Sequence, residues 1–429
     1  MRGLKHQGYW WCLIIAGCLW TVSLAAEKPL VTSISFVGND RTQEYILRRE
    51  LCHPLSVPLD STLMNQDRDR LDNLHLFSMV RWFAYPQPDS TVEVKFFLVE
   101  TWRYLPGLAP VYDEKTGWSL SGLLLVNNFR GRNQSLQFSG IVGGLSSFGL
   151  SFYDPWIAGD RISLELQYQN QHYSHFFLPF NERRTGATLT IGKKINNQHK
   201  LRGGLELRHQ VFTKTSYSKK FDYLVPSATY YNDTRNIYSD PFRGHLLQST
   251  LAVGAASDGT GNNYLNLYNS CSVFRKLAGT EHRLVLAANL RGDLRFGYRH
   301  DLLVQYLGGA FTVRGWVPPD RRIYADPARE FRFGHQLLIA ALELRQTLIP
   351  KFVTELQNEA GLITVIFFDA GLISPDIAGL VRQQPLFGTG IGLRIPFPLV
   401  GQMRLDYGWG YHAGKPAGPR LHLAFGHSF

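Results

Sequence analysis

The feature that most constrains the fold is a two-residue alternation of apolar and polar side chains, which runs from about residue 118 to the end of the chain. In one segment Ile162 and Leu164 fall on one side of an extended backbone, while Ser163 and Glu165 fall on the other. The pattern recurs most clearly at 338–347, 387–395 and 402–409. Such alternation is typical of strands with one apolar and one polar face, as in a barrel that spans a membrane.

Sixteen alternating segments are predicted between breaks at glycine, asparagine and proline clusters, an even number as single-chain bacterial barrels have. They lie near residues 118, 134, 146, 161, 184, 198, 221, 244, 264, 282, 301, 335, 361, 387, 401 and 420. Beyond the first 26 residues no apolar run reaches 18 residues, so no spanning helix is predicted. The fold class predicted is therefore mainly β, a transmembrane antiparallel β-barrel over 101–429 with 16 strands.

The first 26 residues have the layout of a secretory signal peptide. Arg2 and Lys5 precede an apolar stretch that ends at Leu24, and the small residue Ala26 marks the expected cleavage site. A second interpretation, a lipoprotein cleavage box with Cys18 lipidated, remains open, although the apolar stretch continues past that cysteine.

Charge and cysteine content exclude several classes of site. Removal of the signal leaves Cys52 and Cys271 in different predicted domains, which indicates neither a disulfide scaffold nor a zinc site. The net charge of +11 is scattered along the strands, so it favours contact with anionic lipid surfaces, including lipopolysaccharide, with a solvated surface of no function as the alternative, and no nucleic-acid partner is predicted. The chain has no nucleophile elbow, Walker sequence or metal-ligand cluster, so no enzyme activity and no cofactor is predicted.

Residues 27–100 form a separate prediction, a small α+β unit. The pattern indicates a strand over 31–37, a helix over 42–50 capped by Thr42, a second helix capped by Asp60, and strands over 77–83 and 91–99.

One loop carries the candidate site. Arg314 stands between glycines in Val313-Arg314-Gly315-Trp316, within a connection of about 27 residues, and loops of that length are usually functional or disordered. A guanidinium drawn into a restricted interior needs acceptors, and Asp369 is the first candidate because it shares an inward face with Phe367 and Gly371. Glu343 is the second candidate. Separately solvated charges are the plain alternative.

These motifs resemble the BamA/TamA family of bacterial outer-membrane assembly and secretion proteins, whose loop motif reads Val-Arg-Gly-Tyr/Phe. Trp316 is the departure from it. The resemblance implies that the loop arginine meets an acid of the strand motif Phe-x-Asp-x-Gly inside the barrel. The order of elements in 27–100 is similar to one polypeptide-transport-associated domain. The last strand resembles the C-terminal recognition strand of exported barrels, with Leu421, Leu423, Phe425 and Phe429 on one face.

The resemblance implies an outer-membrane location with the N-terminal domain in the periplasm. It implies insertion of proteins into the outer membrane, or passage across it, with unfolded or exported proteins as clients. The client strand would add at a seam between about 118–126 and 421–429. Two other interpretations stay open: a plugged or weakly conducting barrel with a structural, lipid-transport or solute-passage role, and a soluble periplasmic binding module.

Overall fold

A computed structural model of the protein describes residues 28–113, 117–143, 146–158, 161–175, 177–355, 359–397 and 401–425. The predicted signal peptide and its cleavage site lie outside these residues. Within them, no helix is long and apolar enough to cross a membrane. The same ranges contain no group of three or more potential metal ligands.

The N-terminal unit is a three-stranded sheet covered by two helices. Its elements are β1 (Val31–Val37), α1 (Glu44–Arg48), α2 (Ser61–Asp72), β2 (Phe77–Pro86) and β3 (Val92–Glu100). The strands lie in the order β1-β3-β2, with β1 parallel and β2 antiparallel to β3. Ile46 and Leu47 of α1 and Met64 of α2 are fully buried against Val94 and Phe96 of β3, so both helices pack on one face of the sheet.

One helix cap was predicted correctly and the other was not. The Asp60 side chain accepts hydrogen bonds from the backbone N–H groups of Thr62 and Leu63 and so caps α2. Thr42 does not cap α1, which begins at Glu44 without a side-chain cap. The Thr42 hydroxyl instead donates to Glu100 Oε1 at 2.5 Å, and its backbone N–H donates to the same carboxylate. Since Glu100 holds this residue, the helix starts later than predicted.

The rest of the chain forms one antiparallel sheet of 16 strands in which strands adjacent in the list below are hydrogen-bonded. The strands are β4 (Tyr104–Asp113), β5 (Gly117–Phe129), β6 (Gln134–Gly143), β7 (Ser146–Asp154), β8 (Ile162–Ser174), β9 (Asn181–Lys194), β10 (His199–Lys214), β11 (Tyr217–Asp233), β12 (Arg243–Ala256), β13 (Tyr264–Ala278), β14 (Leu284–Gly297), β17 (Gln336–Val353), β18 (Glu359–Ser374), β19 (Leu386–Phe397), β20 (Gly401–His412) and β21 (Lys415–Phe425). The long connection between β14 and β17 holds the two-residue strands β15 (Gln305–Tyr306) and β16 (Phe333–Gly334) and the short helix α3 (Arg321–Ala325), while α4 (Ile377–Arg382) lies between β18 and β19.

The structure has 16 strands in this sheet, as predicted, but only because one wrongly predicted strand and one missed strand cancel in the count. The predicted strand near 301 is wrong, because Asp301–Leu303 forms a 3-10 turn outside the sheet. The first strand, β4, was missed because Pro106 and Pro110 interrupt its pattern; proline is tolerated at the edge of a sheet, where its missing N–H is not needed. The predicted seam strand 118–126 is therefore wrong as well. The strands at the two edges are β4 and β21, and no ladder joins them within the described residues.

Inward and outward side chains alternate as predicted. Glu343, Asp369 and Asp406 are almost fully buried, whereas Leu342 and Ile366, on the opposite face of the same strands, are 45% and 60% exposed. The sheet thus has a polar interior and an apolar outer surface, the arrangement of a transmembrane barrel.

The N-terminal unit docks on one end of the sheet. The Gln43 N–H donates to the carbonyl of Gly131 at 3.0 Å. The Asn73 side chain donates to the Asn236 carbonyl at 2.9 Å and accepts from the Tyr238 N–H at 2.8 Å. We call this the near end; the long connection between β14 and β17 leaves from the opposite, far end.

Candidate functional site

The connection between β14 and β17, hereafter the inner loop (residues 298–335), folds back into the sheet's interior. Gly308, Gly309 and Gly315 have φ values of 118°, 109° and 85°, a region that favours glycine. The Gly309 N–H donates to the Trp316 carbonyl at 2.8 Å, and the Gly308 N–H donates to the Thr312 hydroxyl at 2.8 Å. The loop therefore presents Arg314 from a closed turn.

Arg314 is 2% exposed and meets both acids that the sequence nominated. Its Nε and Nη2 donate to the two oxygens of Asp369, each at 2.7 Å, and its backbone N–H donates to the same carboxylate at 3.0 Å. Its Nη1 donates to Glu343 Oε1 at 2.6 Å. The guanidinium lies 3.7 Å from the centroid of the Phe367 ring. Such a bidentate, charge-assisted pair over an aromatic face fixes the guanidinium in position and orientation.

A wider set of charges continues from this pair along the neighbouring strands. Glu343 also accepts from Arg345 at 2.8 Å and from Arg394 at 2.9 Å. Asp406 accepts from Arg394 at 2.6 Å and from Arg404 at 3.2 Å, and lies 3.5 Å from Arg314. The candidate-site prediction missed Arg345, Arg394, Arg404 and Asp406. Their alternation with apolar residues was a usable signal, because it placed all of them on the inward face.

Glycine residues leave the space that the loop occupies. A Cβ on Gly388 would lie 1.9 Å from the carbonyl oxygen of Arg314, and one on Gly371 would lie 2.6 Å from a methyl group of Val313. A Cβ on Gly315 would lie 2.4 Å from the backbone of Trp409. A Cβ does not fit at such distances, so the wall and the loop are in direct backbone contact.

Trp316, the departure from the family motif, has its own position in the wall. The indole Nε1 donates to the Phe387 carbonyl at 2.9 Å, and the side chain is 5% exposed. A Cβ on Gly410 would lie 2.5 Å from the indole nitrogen, so glycine is needed beneath the ring. A tyrosine or phenylalanine has no indole N–H to make this bond.

His422 ties the loop to the edge of the sheet. The Gly315 N–H donates to His422 Nε2 at 2.9 Å, and His422 belongs to β21, the last strand. This bond requires an unprotonated Nε2, since a protonated ring nitrogen is a donor. The prediction did not include His422.

The opposite side of the inner loop packs against the connection between β8 and β9. The ring of Phe177, in the connection between β8 and β9, lies 5.0 Å from that of Tyr324 and 5.1 Å from that of Phe333. Arg321 donates to the Leu178 carbonyl at 3.3 Å. One loop thus touches both β21 and the β8–β9 connection, so the sheet curls around it.

The predicted C-terminal recognition strand is only partly described. Leu421 and Leu423 point outward with 65% and 62% exposure, and Phe425 pairs by its backbone with Met403. Phe429 lies outside the described residues.

Comparison with known proteins identifies the family. The Omp85 superfamily domain matches residues 128–429. This chain belongs to the Omp85 superfamily. The outer membrane protein assembly factor BamA of Neisseria meningitidis is 24% identical over 237 residues, which are 53% of this chain and 29% of that protein. The chain thus spans less than a third of that relative's length.

Solved structures support the same fold. BamA from Haemophilus ducreyi lacking POTRA domains 1–3 has a TM-score of 0.54 at 18% identity, covering 92% of this chain and 83% of that one. CdiB from Acinetobacter baumannii has a TM-score of 0.52 at 14% identity, covering 90% of this chain and 70% of that one.

The predicted family resemblance, the barrel fold class and the outer-membrane location are confirmed by these matches. As an Omp85 protein, this chain has its N-terminal unit in the periplasm. The near end of the sheet is then periplasmic, and the far end, with the inner loop's base, is external.

Proposed function

We propose that this Omp85 protein inserts client proteins into the outer membrane or translocates them across it, by opening a seam between β4 and β21. The observation that carries the proposal is the bond from Gly315 to His422, which connects the arginine-anchored inner loop to the last strand. Movement of β21 then changes the loop, and the loop's position then favours an open or a closed seam.

The composition of the two edge strands supports a weak seam. β4 contains Pro106 and Pro110, and β21 contains Pro416 and Pro419. Each proline lacks a backbone N–H, so every proline whose nitrogen faces the seam removes one donor from a ladder between these strands. A client strand that brings a full set of donors and acceptors can compete for such an edge.

The N-terminal unit is proposed to act as a polypeptide-transport-associated domain. β2 is an edge strand of its sheet, and a cleft of about 520 Å³ runs between it, α2 and the periplasmic turn after β11. Asn65 and Asp69 of α2, Trp82 of β2 and Ile237 of the turn line this cleft. An extended client segment can add to β2 there and already contact the barrel.

The second candidate function is a plugged barrel with a structural, lipid-transport or solute-passage role. The filled interior favours it, because the inner loop reaches from Phe177 to His422. Under this alternative the seam stays closed and the loop acts as a constriction.

Reconstitution separates the two functions. Liposomes that contain the purified protein should accelerate the folding of a urea-unfolded eight-stranded barrel. Folding is measured by gel electrophoresis, because the folded client migrates faster when it is not heated. The double variant Pro106→Thr/Pro110→Thr adds two backbone N–H groups to the edge strand β4, which strengthens a closed seam, and should slow this reaction. Pro396→Thr in β19, away from the seam, should not. Steady conductance in planar bilayers together with client folding at the rate of empty liposomes would support the plugged barrel instead.

A further inference from the structure

The outward face of β6 to β11 is built in three levels, of which the first spans β6 to β10. At mid-height an apolar groove of about 390 Å³ crosses the strands. Leu166, Leu189, Leu205 and Leu207 line it and are 41 to 59% exposed. Phe212 and Phe221, on the alternate face of β10 and β11, are buried inside the barrel, so the groove faces lipid.

A polar level lies above the groove, toward the external end. Asn170 pairs in register with Thr185, and its side-chain amide donates to the Thr185 hydroxyl at 3.2 Å. His209 lies opposite both Thr185 and Asp222, and its imidazole contacts the Asp222 carboxylate. These groups offer hydrogen bonds directly on the external side of the apolar groove.

A cationic level follows two residues further toward the outside. His172 lies opposite Arg183, Arg183 opposite Val211, and Val211 opposite Lys220. His172, Arg183 and Lys220 are all exposed. Four residues along a strand rise roughly 13 Å, so this level stands about 10 Å above the upper edge of the groove once the usual strand tilt of about 40° is included.

Topology fixes which leaflet this surface meets. The turn between β9 and β10 is at the periplasmic end, where the Asn197 side chain contacts Cys52 of the N-terminal unit. Arg183 and Lys220 are at the other ends of their strands and therefore face the external leaflet.

We propose that this surface binds the phosphorylated, acylated glycolipid of the external leaflet, the lipid A part of lipopolysaccharide. The acyl chains lie in the groove, the sugar ring faces the polar level, and a phosphate lies against Arg183 and Lys220. Charge complementarity identifies the ligand as an anion, since the acid at this surface, Asp222, already contacts His209. The apolar groove lies on the membrane side of the cations, so the ligand also carries an apolar part and is an amphiphile.

This site is independent of the seam, because none of its residues belongs to β4 or β21. Its function would be to hold the wall opposite the seam strands in the lipid while the seam moves. Loss of lipid binding and loss of client insertion are therefore separate results.

The test measures the affinity of the purified full chain in detergent for lipid A by native mass spectrometry. Dephosphorylated lipid A and phosphatidylglycerol serve as comparison lipids. A cation near a membrane surface contributes about a factor of five in affinity, so Arg183→Gln/Lys220→Gln should bind lipid A roughly 25-fold more weakly. Lys415→Gln, which removes an exposed external cation on β21, is the matched control and should bind like wild type.

Wild type should also lose most of its affinity when the phosphates are removed from lipid A, and the double variant should lose little more. The variant Arg183→Lys/Lys220→Arg keeps both positive charges and should bind lipid A about as tightly as wild type. Equal binding of phosphorylated and dephosphorylated lipid A, or unchanged binding by the folded double variant, would overturn the proposal. Phosphatidylglycerol binding as tight as that of lipid A would overturn the assignment to the glycolipid.

Discussion

Replacing Arg314 with alanine should release the inner loop from the barrel wall. Within the described residues Arg314 is the cation that forms an ion pair with Asp369, and the carboxylate of Asp369 is only 1% exposed. The variant therefore leaves a buried charge without its partner. Glu343 is affected less, because Arg345 and Arg394 still pair with it.

The size of the effect follows from that buried charge. Breaking one partner out of a buried ion pair costs about 3 to 5 kcal/mol. If the loop relieves this cost by leaving the interior, the population of the released state rises roughly 10²- to 4 × 10³-fold. Arg314→Lys keeps the charge but loses the two-point contact of the guanidinium, so its released population should lie between those of Arg314→Ala and wild type.

Cysteine labelling measures the released population. Leu307 lies in the inner loop and is fully buried, so Leu307→Cys, with Cys52 and Cys271 replaced by serine, reacts with a maleimide only when the loop is out. Labelling should accelerate by the factor above in Arg314→Ala. Arg329→Ala is the control, because Arg329 is 47% exposed and pairs only at the surface with Asp326. If Arg314→Ala and Asp369→Asn both label at the wild-type rate, the pair does not hold the loop.

Three further predictions concern neighbouring contacts. Gly388→Ala should speed labelling of Leu307→Cys as Arg314→Ala does, since its Cβ meets the Arg314 carbonyl, whereas Gly203→Ala, which has open space, should not. His422→Leu should speed labelling roughly 10-fold by leaving the Gly315 N–H unpaired, and His422→Gln, which keeps an acceptor, should restore much of the wild-type rate. Burial raises the pKa of Asp72 to about 6, with Lys351 opposing the shift, so protonation of Asp72 should favour docking of the N-terminal unit as pH falls from 7 toward 4, while His75, whose pKa is lowered by burial, acts in the opposite direction. The protection factor of the turn 234–242, which is the exchange rate corrected for the intrinsic pH dependence of amide exchange, should then rise more at low pH in wild type than in Asp72→Asn. An equal change in the two proteins would contradict this cause.

The sequence predicted Asp369 as the first and Glu343 as the second candidate partner of Arg314, with separately solvated charges as the alternative, and the structure places Arg314 against both acids. Alternation placed Asp369 and Glu343 on the inward face, and an arginine held among glycines needs acids of that kind. The fixed two-residue period of a strand supplied the inward face, and the family resemblance supplied the expectation that the loop arginine meets an acid there.

The sequence did not predict the contacts that involve Arg394, Asp406 and His422. The alternation placed these residues on the inward face of their strands. Which inward charges contact each other depends on the register of the strands from β17 to β21 and on the path of the inner loop. A one-residue change of register would alter every such pair. The seam was misplaced for a different reason, because the prolines of β4 hide a strand whose outer edge has no partner in the described sheet.

A reversible lock on the seam tests the central claim most directly. Single cysteines placed along 104–108 and 421–424 form a disulfide only where the two Cα atoms lie within about 4.4 to 6.8 Å. In a protein without Cys52 and Cys271, an oxidised seam should abolish client insertion in the liposome assay, and reduction should restore it. Full activity in a protein whose seam is quantitatively locked would contradict lateral opening and favour the plugged barrel.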